Sequence, residues 1–184
     1  MERKTPRAAL LLIDVINDMN FVGGEALVTH ALPAAEKIAA LKRRLRAKGV
    51  PVIYVNDNFG QWQSDFNQQI QRCLGADSVG REVVSLLIPD AEDYFILKPK
   101  HSGFYSTALE VLLEFLGIDS LIITGFAADI CVLYTANDAY MRDYSITVPP
   151  DCVAAETDGL KQAALDHIRL RLKATVCQSR YVRC

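Results

Sequence analysis

Residues 120–140 read SLIITGFAADICVLYTANDAY, and the change of pattern inside that stretch decides the fold. The run 120–124 is apolar without alternation, the signature of a strand buried on both faces of a parallel sheet. Gly125 follows and permits a tight turn. Beyond it, Asp129 is placed to cap a helix that continues to about Arg142. A buried strand that passes at once into a helix is half of a βαβ unit.

Outward from there, the same kind of run recurs as AALLLI (8–13), VPVIYV (50–55), YFIL (94–97), SITV (145–148) and ATVC (174–177). Helical patterns lie between most of them. Residues 31–48 set Leu32, Ala35, Ile38, Leu41 and Leu45 on one stripe, with Pro33 in the first turn and Gly49 at the end. Thr107 and Glu110 have the spacing of a capping box ahead of Leu112, Leu113 and Leu116, and Gly117 stops that helix. A further helix spans roughly residues 156–170. Alternating strands and helices predict right-handed crossovers and one three-layer α/β/α domain over residues 1–184, on a six-stranded, mainly parallel, Rossmann-like sheet.

In such sheets ligands sit beyond the carboxyl ends of the strands. Asp14 ends the first run, Asn56 and Asp57 follow the second, Lys98 follows the third, and Cys131 comes shortly after the fourth. Polar groups far apart in sequence therefore converge on one rim. Cys131 falls in the first turn of a helix, where unpaired N–H groups and a neighbouring ammonium favour thiolate over thiol. Asp14 is the carboxylate placed to accept its proton, and Lys98 can stabilise both charges. The plainer readings are a buried inert cysteine, a turn aspartate and a solvated lysine.

The composition narrows the partner. Among 184 residues, 51% are hydrophobic and 23% charged, as in ordinary globular chains; 20 Lys+Arg against 22 Asp+Glu leave a net charge of −2. No broad positive field exists to hold nucleic acid or an anionic membrane, so a small-molecule substrate is expected. The basic start MERKTPR leads into an apolar run interrupted by Asp14, which reads as neither an export signal nor a membrane span. Five cysteines without a C-x-x-C pair fit free thiols in the cytoplasm. The three histidines, His30, His101 and His167, have no metal-ligand spacing, and neither metal nor cofactor is expected.

The stretches LLLIDVINDM, LKPKHSGFYSTALEVLL and TGFAADICVLYTANDAYMRDY, with the turn PPDCV, stand in an order that resembles the isochorismatase-like cysteine hydrolases. That family includes nicotinamidases and N-carbamoylsarcosine amidohydrolase. The resemblance implies a catalytic triad of Asp14, Lys98 and Cys131, with Lys98 four positions before Ser102-Gly103-Phe104. It also implies a cis peptide joining Phe126 to Ala127, and an oxyanion hole from the backbone N–H groups of Ala127 and Cys131. Hydrolysis of a C–N bond in a small amide or carbamoyl compound, by a homodimer or homotetramer, is the activity it suggests.

Two departures stand out: the usual Gln of D-x-Q is Ile16, and the histidine-bearing metal site of nicotinamidases is replaced by Asn56-Asp57-Asn58-Phe59. Phe21, Phe59, Trp62 and Phe104 on the rim loops, with Asn56 and Phe126, are the expected substrate-binding residues. His101 is the one histidine near the site and leaves a Cys–His pair open. Two alternatives remain: vinyl ether hydrolysis, whose family members lack the cysteine, and a metabolite-binding member without turnover.

Overall fold

A computed structural model of the chain describes residues 7–60, 62 and 65–183. Six consecutive apolar residues form strand β1 (Ala8–Ile13), and all six are buried. A strand with no polar side to turn outward belongs in mid-sheet, and β1 pairs in parallel on both sides. Its partners are β2 (Val52–Asp57), in register from Leu10↔Val52 to Ile13↔Val55, and β4 (Ser120–Phe126), from Ala8↔Ser120 to Ile13↔Gly125. Outside them lie β3 (Tyr94–Lys98) and β5 (Ser145–Thr147), giving the order β3-β2-β1-β4-β5. Every pairing among the described strands is parallel.

The sixth strand is not the expected one. Residues 174–177 make a single bridge, Thr147↔Thr175. The sixth place is taken by β6 (Val153–Ala154), which lies against Gly125 and Phe126 where β5 has already ended. One flank of β4 is thus shared by two short strands, and the second supports the end that leads into Cys131.

Alternate residues of β1 serve opposite faces. Leu10 and Leu12 join the core under α1 (Gly24–Arg46), α2 (Phe66–Cys73) and α3 (Arg81–Leu86). Leu11 and Ile13 join the core under α4 (Leu109–Phe115), α5 (Leu133–Tyr140) and α6 (Asp158–Arg171). Each such aliphatic side chain contributes about 1.5–3 kcal/mol when fully buried.

Several helix boundaries differ from expectation. Helix α1 begins at Gly24, seven residues early, so Pro33 sits inside it. The reason is local: Gly23, at φ 93°, starts the helix from a left-handed conformation, and a side chain at Gly24 would strike the Met19 carbonyl. Thr107 and Glu110 form no capping box. The Thr107 hydroxyl accepts from the Leu109 N–H, while Glu110 turns away to Arg142 at 3.0 Å. The stop at Gly117 is a Schellman ending, with Gly117 bonded to the Glu114 carbonyl and Ile118 to that of Leu113.

Candidate active site

Gly125 does not end β4; the strand continues to Phe126. The glycine is there because β1 passes so close that a Cβ would lie 2.1 Å from the Ile13 carbonyl oxygen. The Phe126–Ala127 peptide is cis. The chain then enters a wide π turn, Ala128–Val132, before α5 takes over. Ala127, not Asp129, is its N-cap residue, and Asp129 makes no capping bond. The Ala127 carbonyl accepts from both Ile130 (3.2 Å) and Val132 (3.1 Å). The Cys131 N–H lies in the turn between those two donors, and Ala127 begins it.

Asp14 follows β1 directly at φ 51°, a left-handed conformation that aspartate tolerates better than most residues. Its carboxylate accepts the Asp57 N–H at 2.7 Å and pairs with Lys98 Nζ at 2.8 Å. Lys98, the last residue of β3, is wholly buried, and its Nζ also lies 3.6 Å from Cys131 Sγ and 3.7 Å from Asp57. His101 Nδ1 stands 3.9 Å from the same sulfur, its ring against Tyr134. The loop carrying His101 is tied to α5: Gly103 N–H donates to the Thr135 hydroxyl at 3.0 Å, which donates to the Cys131 carbonyl at 2.7 Å. Ser102 bonds Asp138 beside it.

Burial sets the charges of this cluster. It pushes the Asp14 carboxyl above its ordinary value of 3.8, although Lys98 and the hydrogen bonds from Cys131 and Asp57 pull the other way. Burial alone would lower the Lys98 ammonium; Asp14, then Cys131 and Asp57, outweigh it and hold the ammonium above its usual range. The Cys131 thiol is pushed up, first by burial and then by the Asp14 charge, with Lys98 opposing. That direction reverses the expectation of a helix-stabilised thiolate. Burial and the Asp14 charge thus outweigh the favourable effect of Lys98 on the thiolate.

A cavity of about 170 Å³ opens on the sulfur, lined by Asp14, Phe21, His101, Phe126, Cys131 and Glu156 among others. Of the residues expected to bind substrate, Phe21 and Phe126 line it. Four other expected substrate-binding residues stand outside its lining. Asn56 is buried and bonds the Ile16 carbonyl at 2.9 Å; Phe59 packs under Arg72; Trp62 projects outward, 80% exposed. Phe104 lies in the core against Tyr144 and Arg142, because Thr135 holds Gly103 inward and carries the next residue with it.

Ile16 is buried, and its carbonyl receives a second amide, Gln69 Nε2, from α2 at 3.2 Å. Glu156 is a site residue that the sequence does not announce; there it reads as an acid opening a helix. Among the described residues, no three His, Cys, Asp or Glu side chains group as metal ligands, and no helix is long and apolar enough to cross a membrane.

A parallel sheet with a thiol, a carboxylate and an ammonium gathered beyond its carboxyl edge has the layout of a hydrolytic α/β protein. The chain belongs to the isochorismatase family, whose domain model matches residues 8–180. The isochorismatase family protein YaaI of Bacillus subtilis strain 168 is 45% identical over 157 residues, covering 85% of this chain and 86% of that one. The ureidoacrylate amidohydrolase RutB of Methylorubrum extorquens AM1 is 29% identical over 160 residues, 74% of this chain and 63% of its own. Among solved structures, the N-carbamoylsarcosine amidase of Thermoplasma acidophilum superposes with a TM-score of 0.74 at 32% identity, covering 96% and 99% of the two chains. The protein is thus an isochorismatase-family hydrolase with amidohydrolases among its relatives.

Proposed function

We propose that this chain cleaves a C–N bond of a small amide, carbamoyl or related compound through a thioester on Cys131. The supporting observation is the triangle of Asp14, Lys98 and Cys131 at a cavity, with Lys98 Nζ 2.8 Å from the carboxylate and 3.6 Å from the sulfur. As the sulfur attacks the carbonyl carbon, Asp14 takes its proton; raised basicity suits that task. The N–H groups of Ala127 and Cys131 receive the developing oxyanion. The C–N bond breaks, and Asp14 returns its proton to the departing ammonia or amine. Water, deprotonated by Asp14, then attacks the thioester, releasing the acid and restoring the thiol. Throughout, Lys98 compensates whichever group carries the negative charge.

A nucleophile facing the cavity favours this route over vinyl ether hydrolysis, which needs no thiol. The free thiols of Cys73, Cys131, Cys152 and Cys177 accord with a cytoplasmic setting. Exposed Val111, Phe115 and Tyr134 on α4 and α5 supply apolar area for a homodimer or homotetramer, which sedimentation tests.

An ammonia-release screen over small amides, ureides and carbamoyl amino acids, run with wild type and Cys131→Ala, tests the reading. The variant is expected to fold and to lose turnover by roughly 10³-fold or more. Retained turnover ends the thioester route, and a wild type inert to the whole set ends the amidohydrolase assignment.

A further inference from the structure

The cavity beside Cys131 carries a second carboxylate besides that of Asp14. Glu156, in the loop between β6 and α6, lines it. No hydrogen bond or ion pair from the described residues reaches its carboxylate. The approach is made possible by Gly23: a Cβ there would lie 2.7 Å from Glu156 Oε1, so any side chain at position 23 would displace the carboxylate. That places the carboxylate beside the N-terminal turn of α1.

No lysine or arginine lines the cavity with it. Lys98 is wholly buried and held by Asp14 and Asp57, and the imidazole of His101 faces the sulfur. The volume of about 170 Å³ is close to the ~150 Å³ that accepts a benzene-sized molecule. A ligand that fills this cavity touches both the sulfur and Glu156, since both line it.

We propose that Glu156 is a substrate-binding residue, and that the cavity takes neutral or cationic amides and ureides whose far end donates hydrogen bonds, while turning carboxylates away. An amine, amidine or primary amide can bond the Glu156 carboxylate; an acid meets like charge and finds no arginine to hold it. This inference deepens the function proposed above and rests on that cavity being the substrate site.

It is tested without turnover, by labelling Cys131 with two methanethiosulfonates of like size, the aminoethyl cation and the sulfonatoethyl anion. Rates are taken from the labelled Cys131 peptide and normalised to a free thiol, in wild type and Glu156→Gln. The wild-type cation-to-anion ratio is expected to exceed the free-thiol ratio by about tenfold or more, and to fall at least about threefold in the variant. A wild-type ratio at or below that of the free thiol overturns the proposal, as does a ratio unchanged by Glu156→Gln. Because labelling needs no hydrolysis, failure to hydrolyse any amide tried would sink the proposed reaction alone, and the charge preference at Cys131 would still stand or fall by the labelling ratios.

Discussion

Two buried lysines each meet a pair of carboxylates, and Asp90 of one pair shifts in the opposite sense to Asp14 of the other. Lys42 Nζ lies 2.6 Å from Asp93 and 2.9 Å from Asp90, and bonds the Tyr54 hydroxyl at 2.9 Å; Lys98 Nζ lies 2.8 Å from Asp14 and 3.7 Å from Asp57. Asp90, with 56% of its side chain exposed, is held below its ordinary 3.8, first by its hydrogen bond from Lys42. Asp14, at nearly the same distance from its lysine, is pushed above 3.8 because burial outweighs the pairing. The ammonium alone does not set the direction; access to water does. The Lys42 group is a clamp that closes α1 over the loop before β3. The Lys98 group holds a carboxylate ready to accept a proton next to a thiol.

Removing each lysine puts that contrast at risk, and Lys98→Met carries the largest expected effect. It strands Asp14 in the core, at about 3–5 kcal/mol by urea unfolding, and turnover per folded molecule is expected to fall by roughly 10²-fold or more. Lys42→Met is expected to cost about 1–3 kcal/mol while kcat/KM stays within about twofold. Comparable losses of turnover in the two variants, corrected for folding, would erase the distinction between clamp and reaction centre.

The pH dependence sharpens it. Asp14 must be ionised to act as base, so kcat/KM is expected to decline on acidification with a midpoint above 3.8. The linkage signs also differ. Asp14 binds its proton more tightly in the folded chain, so its effect on stability becomes more favourable as pH falls through its raised value and is complete below 3.8. Asp90 stabilises above 3.8 and loses that contribution as pH falls through its lowered value. Unfolding followed against pH in Asp14→Asn and Asp90→Asn is expected to show deviations of opposite sign from wild type.

The smallest effect expected is that of Tyr54→Phe. It removes the hydroxyl that accepts from Lys42 and donates to the Leu87 carbonyl, at about 1 kcal/mol, with kcat unchanged.

What was legible in the sequence followed from hydrophobic continuity. Three long buried strands and the half-exposed β3 announced the parallel sheet, and their polar ends announced Asp14, Lys98 and Cys131 as neighbours. Continuity misled where an apolar run packs without pairing: Ala174 sits in the core, yet only Thr175 bridges to the sheet. It was silent on β6, too short for any periodicity. The start of α1 at Gly24 was not legible, because the close approach of the Met19 carbonyl that requires glycine there is a tertiary fact. Asp129 matched a cap by type, but a π turn has no use for one there. Glu156 left no signal, since its meaning depends on Gly23, 133 positions away by subtraction of the two residue numbers.

The Thr135 hydroxyl joins two stretches that the sequence keeps apart, the loop after β3 and the turn bearing the sulfur. Variation in either stretch is therefore answerable to the other, since a shift of Gly103 would drag the Cys131 backbone with it. The segments around Phe21 and Glu156 carry no such tether across the cavity. If the proposed reaction holds, exchanging residues on that side can revise what the cavity accepts while the tethered half keeps its geometry.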